Sequence, residues 1–359
     1  MKKTKLIFVT NYFGNGGAAT VMKIIIEDLI KTEKYDIEII SFDQKNKFDN
    51  NKNRYEIPKN VNFTELHINS NNKIIEKIGR TIKLRKIFSK NKNSIIISFE
   101  YFVNMQVIVS NMFLKNKVIV SERNDPNKSG NKKKHLRNFL YKFANKLVCQ
   151  TPDAKAYFPE KIQEKTIIIP NPVRIDLPDR FEGKRNKKMV TFCRVTRQKN
   201  LVMMINAFEQ ILKEYPEYKL IIYGDGVEKE PLIHYVKERN LNEKVIFNDF
   251  KKNLHNEIID ASMFLSSSDF EGISNSMLEA MAIGLPTICT DCPCGGARMM
   301  IQNDINGILV PVGDEKAMYR AIKKVIENPD FADKLSKNAI KVKDTLNPKK
   351  ISNMWTDLI

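Results

Sequence analysis

A chain of 359 residues, 42% hydrophobic and 28% charged, holds enough apolar material for packed cores, which excludes global disorder, and its length suits two domains. Five cysteines are too few for a disulfide framework and fit a reducing compartment. The formal net charge of +18 is lopsided: residues 1–174 hold 33 Lys and Arg against 16 Asp and Glu, whereas the remainder holds 27 against 26.

In chain order, Leu6–Val9 reads as part of a first buried strand, Lys5–Thr10, and not as a signal peptide. Further strands are expected at Asp36–Phe42, Val61–Leu66, Ser94–Phe99, Lys117–Ser121 and Lys146–Gln150, with helices at Ala18–Lys31, Asn72–Ser89 and Lys132–Asn145. Tyr101–Leu114 is the nearest approach to a membrane span, but Asn104, Gln106 and Asn111 interrupt it. The prolines after Ile167–Ile169 end a strand, and the polar run Asp176–Lys188 has no periodicity, so a domain boundary is expected between 174 and 175. The pattern then restarts with strands at Lys188–Cys193, Tyr218–Tyr223, Lys244–Phe247, Met263–Ser266, Pro286–Cys289 and Gly307–Val310. Helices fit Leu201–Tyr215, Lys229–Arg239, Ser274–Ile283, Glu315–Glu327, Phe331–Val342 and Lys349–Leu358. The alternation predicts α/β architecture: two doubly wound, Rossmann-like domains whose ligands lie beyond the carboxyl ends of the strands.

Three stretches carry chemistry. Gly14-Asn15-Gly16-Gly17-Ala18-Ala19 joins the first strand to a helix, where glycines let a phosphate approach and the helix start attracts it. The same stretch matches G-x-G-x-x-A, and Asp43 stands where a ribose-binding acid would, so an NAD(P)-dependent oxidoreductase stays open as an alternative. Arg194 and Lys199 follow the restart strand, a fork and a point charge suited to two adjacent phosphates. Glu271 and Glu279 bracket a glycine turn and a helix start. Their separation of eight residues is about 2.2 turns, which puts both on nearly one face. Carboxylates suit vicinal hydroxyls, and the N–H groups of Ile273, Ser274 and Asn275 open the helix toward an anion, while Ser274 or Asn275 also suits a plain N-cap. Cys292-Pro293-Cys294 lacks a second ligand pair at zinc spacing and reads as loop structure.

These motifs occur in order with Gly295-Gly296-Ala297-Arg298, Asn306-Gly307 and Val310–Asp314. Together they resemble the retaining, nucleotide-sugar-dependent glycosyltransferases of family 4, which have the GT-B fold, and look most like capsule and exopolysaccharide enzymes. The resemblance implies an acceptor and membrane-facing domain at 1–174, a donor domain at 175–346, and a final helix within 347–359 that returns to the first. It implies that Arg194 and Lys199 neutralise the donor diphosphate, that Glu279 holds the ribose, that Glu271 contacts the transferred hexose, and that amides at Gly16-Gly17 and Ile273–Asn275 complete the cradle. No metal or other cofactor is expected. Where many relatives place a histidine, this chain has Glu122, a candidate catalytic carboxylate, followed by Arg123, which could reach an acceptor phosphate.

The expected activity is transfer of a hexose or N-acetylhexosamine from a nucleotide sugar, UDP-linked on frequency, to a lipid-diphosphate-linked saccharide. A catalytically inactive binding module of the same fold is a further alternative. The enzyme is expected in the cytoplasm, peripheral at the inner face of the cell membrane, with no nucleic-acid partner. Asn72–Lys92 carries eight basic residues and one acid, and Lys128–Lys146 seven and none. A solvated helix face is the bland reading. The split of charge between halves favours attachment to an anionic membrane through Lys83, Arg85, Lys86 and Lys90.

Overall fold

The computed structural model describes residues 3–14, 16–42, 55–129, 131–251 and 253–359, the side chains of 129, 131 and 132 excepted; Asp43 lies outside the described residues. Among those residues the chain divides into one unit of Met1–Pro172 with Pro348–Ile359 and another of Val173–Asn347. In the first, the strands are β1 (Thr4–Thr10), β2 (Tyr35–Ser41), β3 (Val61–Glu65), β4 (Ile95–Phe99), β5 (Lys117–Ser121), β6 (Lys146–Cys149) and β7 (Thr166–Ile168). They pair in parallel in the order β3-β2-β1-β4-β5-β6-β7. In the second, β8 (Lys188–Phe192), β9 (Lys219–Tyr223), β10 (Val245–Asn248), β11 (Met263–Ser266), β12 (Thr287–Thr290) and β13 (Ile308–Val310) form a parallel sheet ordered β10-β9-β8-β11-β12-β13.

The central strands are near-continuous Ile, Val, Leu and Phe because helices cover both faces of such a sheet and no face is left for water. Helix Gly17–Ile30 buries Val21, Met22, Ile25, Ile26 and Leu29, which recur at helical spacing on one stripe. Each such side chain contributes roughly 1.5–3 kcal/mol when fully removed from water. The final helix, Pro348–Thr356, packs against it. Trp355 is fully buried with its ring centroid 5.3 Å from that of Phe99, and Lys349 Nζ stands 3.2 Å from Asp28.

Tyr101–Asn111 is a helix joining β4 to β5, a role that hydropathy alone did not reveal. The polar residues that interrupt its apolar run are all engaged. Asn104 Nδ2 donates to Ser121 O at 2.9 Å, Gln106 Nε2 to Lys77 O at 3.3 Å and Asn111 Nδ2 to Asn116 O at 3.1 Å. The aperiodic stretch entering the second unit is fixed by Arg185, whose Nη1 donates to Ile259 O and Ala261 O, both at 3.0 Å. Among the described residues no helix is long and apolar enough to cross a membrane.

Candidate active site

In the second sheet β8 and β11 are neighbours although β9 and β10 intervene in sequence, so the loops that follow them rise together at the point where strand order reverses. After β8 the chain passes through a short 3-10 turn, Arg197–Lys199, into helix Leu201–Leu212. Asn200 turns the corner at φ 43°, a left-handed conformation that asparagine tolerates. Its Oδ1 accepts from Met203 N at 3.4 Å, capping the helix, and its Nδ2 donates to Asp269 Oδ1 at 2.7 Å. More bonds stitch the two loops: Asp269 N to Gln198 O at 2.9 Å, Gln198 Nε2 to Phe270 O at 2.7 Å, and Ser267 Oγ to Lys199 O at 2.8 Å.

The stitching brings the Lys199 ammonium onto Glu271 Oε1, with side chains only 11% and 17% exposed. Burial works against the ammonium, but the adjacent Glu271 carboxylate outweighs it, so the Lys199 pKa is raised and the group stays charged. Ser268 Oγ also donates to Glu271 Oε1, at 3.3 Å. Arg194 is exposed in the same loop, close enough that its charge weighs on Lys199.

Helix Asn275–Ala282 begins immediately after this turn. Ser274 is its N-cap, with its Oγ accepting from Met277 N at 3.4 Å, so the capping reading holds. Ile273 and Asn275 flank the cap at the mouth of the helix. On the same helix, Glu279 Oε2 lies 2.9 Å from His255 Nε2. His255 is buried, edge-on to Phe192 with centroids 5.6 Å apart. No motif singled out this histidine. It is 24 residues from Glu279 in sequence, and only the fold joins them.

Two glycines make the arrangement possible. A Cβ on Gly296 would stand 1.8 Å from Gly272 O, so the Cys292–Arg298 loop lies directly on the Glu271 turn. Gly224, at φ +138°, leaves 1.9 Å between such a Cβ and Cys193 O, holding the next loop against the one bearing Arg194. Cys292 and Cys294 are buried, and burial pushes the Cys292 thiol up to about 12. Among the described residues no group of three or more His, Cys, Asp or Glu could hold a metal.

In the first unit, Gly16 and Gly17 are exposed at the start of helix Gly17–Ile30, and a Cβ on Gly16 would meet nothing within 4 Å. Glu122, the candidate catalytic carboxylate, is 4% exposed. Its Oε1 accepts from Tyr141 Oη at 2.5 Å and lies 3.8 Å from Arg137 Nη1, and Asn104 Nδ2 donates to the same tyrosine oxygen at 3.0 Å. Burial raises the Glu122 pKa against the opposing pull of Arg137 and Tyr141. Arg123 is engaged by Asn171 Oδ1, and its guanidinium lies 4.9 Å from the Phe99 ring; burial lowers its pKa to about 9. Lys83, Arg85, Lys86 and Lys90 are exposed on helix Lys73–Lys90, but two of them have structural work. Arg85 Nη1 donates to Met112 O at 2.8 Å, at the end of helix Tyr101–Asn111, and Lys83 Nζ donates to His67 O at 2.8 Å.

Residues 176–342 match the family described as Glycosyl transferases group 1. A Campylobacter jejuni protein is 27% identical over 92% of each chain and bears the name N-acetylgalactosamine-N,N'-diacetylbacillosaminyl-diphospho-undecaprenol 4-alpha-N-acetylgalactosaminyltransferase. A second from the same organism, named GalNAc-alpha-(1->4)-GalNAc-alpha-(1->3)-diNAcBac-PP-undecaprenol alpha-1,4-N-acetyl-D-galactosaminyltransferase, is 26% identical over 99% of this chain and 98% of its own. Among solved structures, Anabaena HepE in complex with UDP-glucose superposes with a TM-score of 0.82 at 15% identity, covering 99% of this chain and 98% of that one. The comparisons give the oxidoreductase alternative no support. Two parallel-sheet α/β units, the group 1 match confined to residues 176–342 and relatives named as glycosyltransferases along the whole length together make the chain a glycosyltransferase with the GT-B fold.

Proposed function

We propose that the protein is a retaining transferase that moves a hexose or N-acetylhexosamine from a UDP-sugar to a lipid-diphosphate-linked saccharide. Its place is the inner face of a bacterial cell membrane, in the assembly of a surface polysaccharide. The observation that carries this reading is the Lys199–Glu271 pair at the switch point of the second sheet. An ammonium has three N–H donors. One serves Glu271, which leaves two to meet the donor diphosphate beside Arg194. As the sugar–phosphate bond breaks, charge builds on the leaving diphosphate, and these fixed cations with the start of helix Asn275–Ala282 stabilise it without a metal. Glu271, held by Lys199 and Ser268, presents its remaining oxygen to the transferred sugar, and Glu279 accepts from the ribose hydroxyls. Exposed Gly16 and Gly17 leave the first unit's helix start open to a phosphate.

Two relatives named for undecaprenol-diphosphate saccharides and a neighbour solved with UDP-glucose support the acceptor and donor classes. The test is UDP or GDP release from a panel of nucleotide sugars, with an undecaprenyl-diphosphate saccharide as acceptor and chelator present. NMR of the product reads the anomeric configuration. Acceptor-dependent UDP release with retention is expected. Inversion, or release that requires an added divalent ion, defeats the proposal.

A further inference from the structure

The first unit exposes a face that a protein in water alone would not keep. On helix Lys73–Lys90 four isoleucines point outward, Ile74 at 68% exposure, Ile82 at 63%, Ile75 at 56% and Ile78 at 55%, whereas only Leu84 and Phe88 are buried. The next helix, Tyr101–Asn111, packs beside it and turns Phe102 and Val109 outward, and Phe113 follows at 95% exposure. Helix Asn131–Tyr141 packs on the far side of that one and adds Leu136, Phe139 and, just beyond its end, Phe143. Ile75, Ile78 and Ile82, then Phe102 and Val109, then Leu136 and Phe139 recur three, four or seven apart, so each helix contributes one stripe. Scattered single hydrophobes are ordinary on a surface, but a connected band across three helices marks a contact. The exposed apolar residues of the second unit, such as Val202, Val227, Phe250 and Ile305, sit on separate elements.

The rim of the band decides what it meets. Lys77 and Lys133 stand 5.9 Å and 5.6 Å from the Phe102 ring, from the helices on either side. Exposed Lys73, Lys86 and Lys142 extend the fringe. Glu76, the one acid of Asn72–Lys92, is paired with Arg80, and Lys128–Lys146 holds none. Apolar side chains set among cations, with no free carboxylate, complement a layer with negative charge at its surface and hydrocarbon below.

The geometry points to this band as the surface on which the enzyme docks to an anionic bilayer. Ile74, Ile78, Ile82, Phe102, Phe113 and Phe139 enter the headgroup region while the lysines engage lipid phosphates. The inference rests on the proposed membrane-bound acceptor and deepens it: the docking element is this three-helix band, not the Lys83–Lys90 segment alone.

The test is sedimentation of the full chain with vesicles of phosphatidylcholine, with and without phosphatidylglycerol, at low and high salt. Binding is expected only with phosphatidylglycerol, falling with salt as exposed charges are screened. Replacing Ile78, Ile82, Phe102 and Phe139 with Ser, all exposed positions, should weaken binding at least ten-fold with charge unchanged. Lys77→Gln with Lys133→Gln and Lys142→Gln should weaken it mainly at low salt. A Phe113→Trp reporter should shift to shorter wavelength on binding. Vesicle binding as strong in the serine variant as in the parent, or an unshifted reporter on bound protein, overturns the inference. So does a parent that ignores vesicles but self-associates through this face, with the serine variant monomeric. Transfer to a short-chain, water-soluble analogue of the acceptor, measured on the same variants, should stay at the parent level. Its absence from every protein would defeat the proposed transfer activity while leaving the docking result standing.

Discussion

The two units share an architecture and differ in where they keep their polar groups. In the second, nearly neutral unit, polar side chains gather about the sheet's switch point, partly buried and in contact: Lys199 with Glu271, and Glu279 with His255. In the first, strongly basic unit, the strand at the corresponding place, β1, leads into glycines. Two of that unit's buried ionisable side chains, Glu122 and Arg137, sit in a network with Tyr141 and Asn104, while many of its lysines lie on helix faces. Aimed charge and spread charge do different work. A few fixed groups can stabilise one developing anion, whereas an extended surface needs many weak contacts.

The contrast can be broken by substitution, and the largest effect is expected at Lys199. Lys199→Ala should lower transfer by roughly 10²–10³-fold, the typical loss of one transition-state contact. It should change turnover more than UDP affinity, and near-parent turnover would place the diphosphate elsewhere. Glu279→Ala should act on binding instead, because ribose contacts exist before and during reaction. A hydrogen bond to a charged group is worth about 1.5–3 kcal/mol, so UDP affinity by calorimetry should fall roughly ten- to hundred-fold.

Gly296→Ala tests whether the second unit depends on close backbone contact. Its Cβ would collide with Gly272 O, and relief of such overpacking costs about 1–3 kcal/mol. A lower melting temperature and reduced turnover should appear together, since the displaced turn carries Glu271. The smallest effect concerns the first unit. Burial raises the Glu122 pKa above its ordinary 4.5. Its contribution to stability is therefore complete below that value and is lost as pH rises through the raised one. Glu122→Gln should flatten the fall of the urea midpoint over that window. An unchanged slope would show that the carboxyl titrates normally.

Much of this was legible in the sequence. The strands announce themselves because fully buried parallel strands are unbroken β-branched runs. Glu271 lies in the turn and Glu279 in the helix that follows, because that much is local, although the helix begins only at Asn275 and the helical spacing does not reach back to Glu271. What stayed hidden was long-range. Asn104, Gln106 and Asn111 look like interruptions until Ser121, Lys77 and Asn116 are seen to receive them. Glu122 follows β5 as a candidate carboxylate, and only the fold shows Tyr141 and Arg137 beside it. Neither His255 nor the need for glycine at 224 and 296 has a local signature, because each is imposed by a strand or loop distant in sequence.

The return of residues 348–359 to the first unit has a consequence for how the protein is made. The second unit is one uninterrupted stretch, Val173–Asn347, and has every strand and helix it needs before the last helix leaves the ribosome. The first unit begins synthesis earlier yet waits longer. Until Trp355 arrives, the surface of Phe99 and of helix Gly17–Ile30 that it covers stays wet. The half that is translated first is thus the half completed last, and a nascent chain holds its incomplete, apolar-faced portion open for the whole time the second is being synthesised. Chaperones that recognise exposed hydrophobic surface would find their target there.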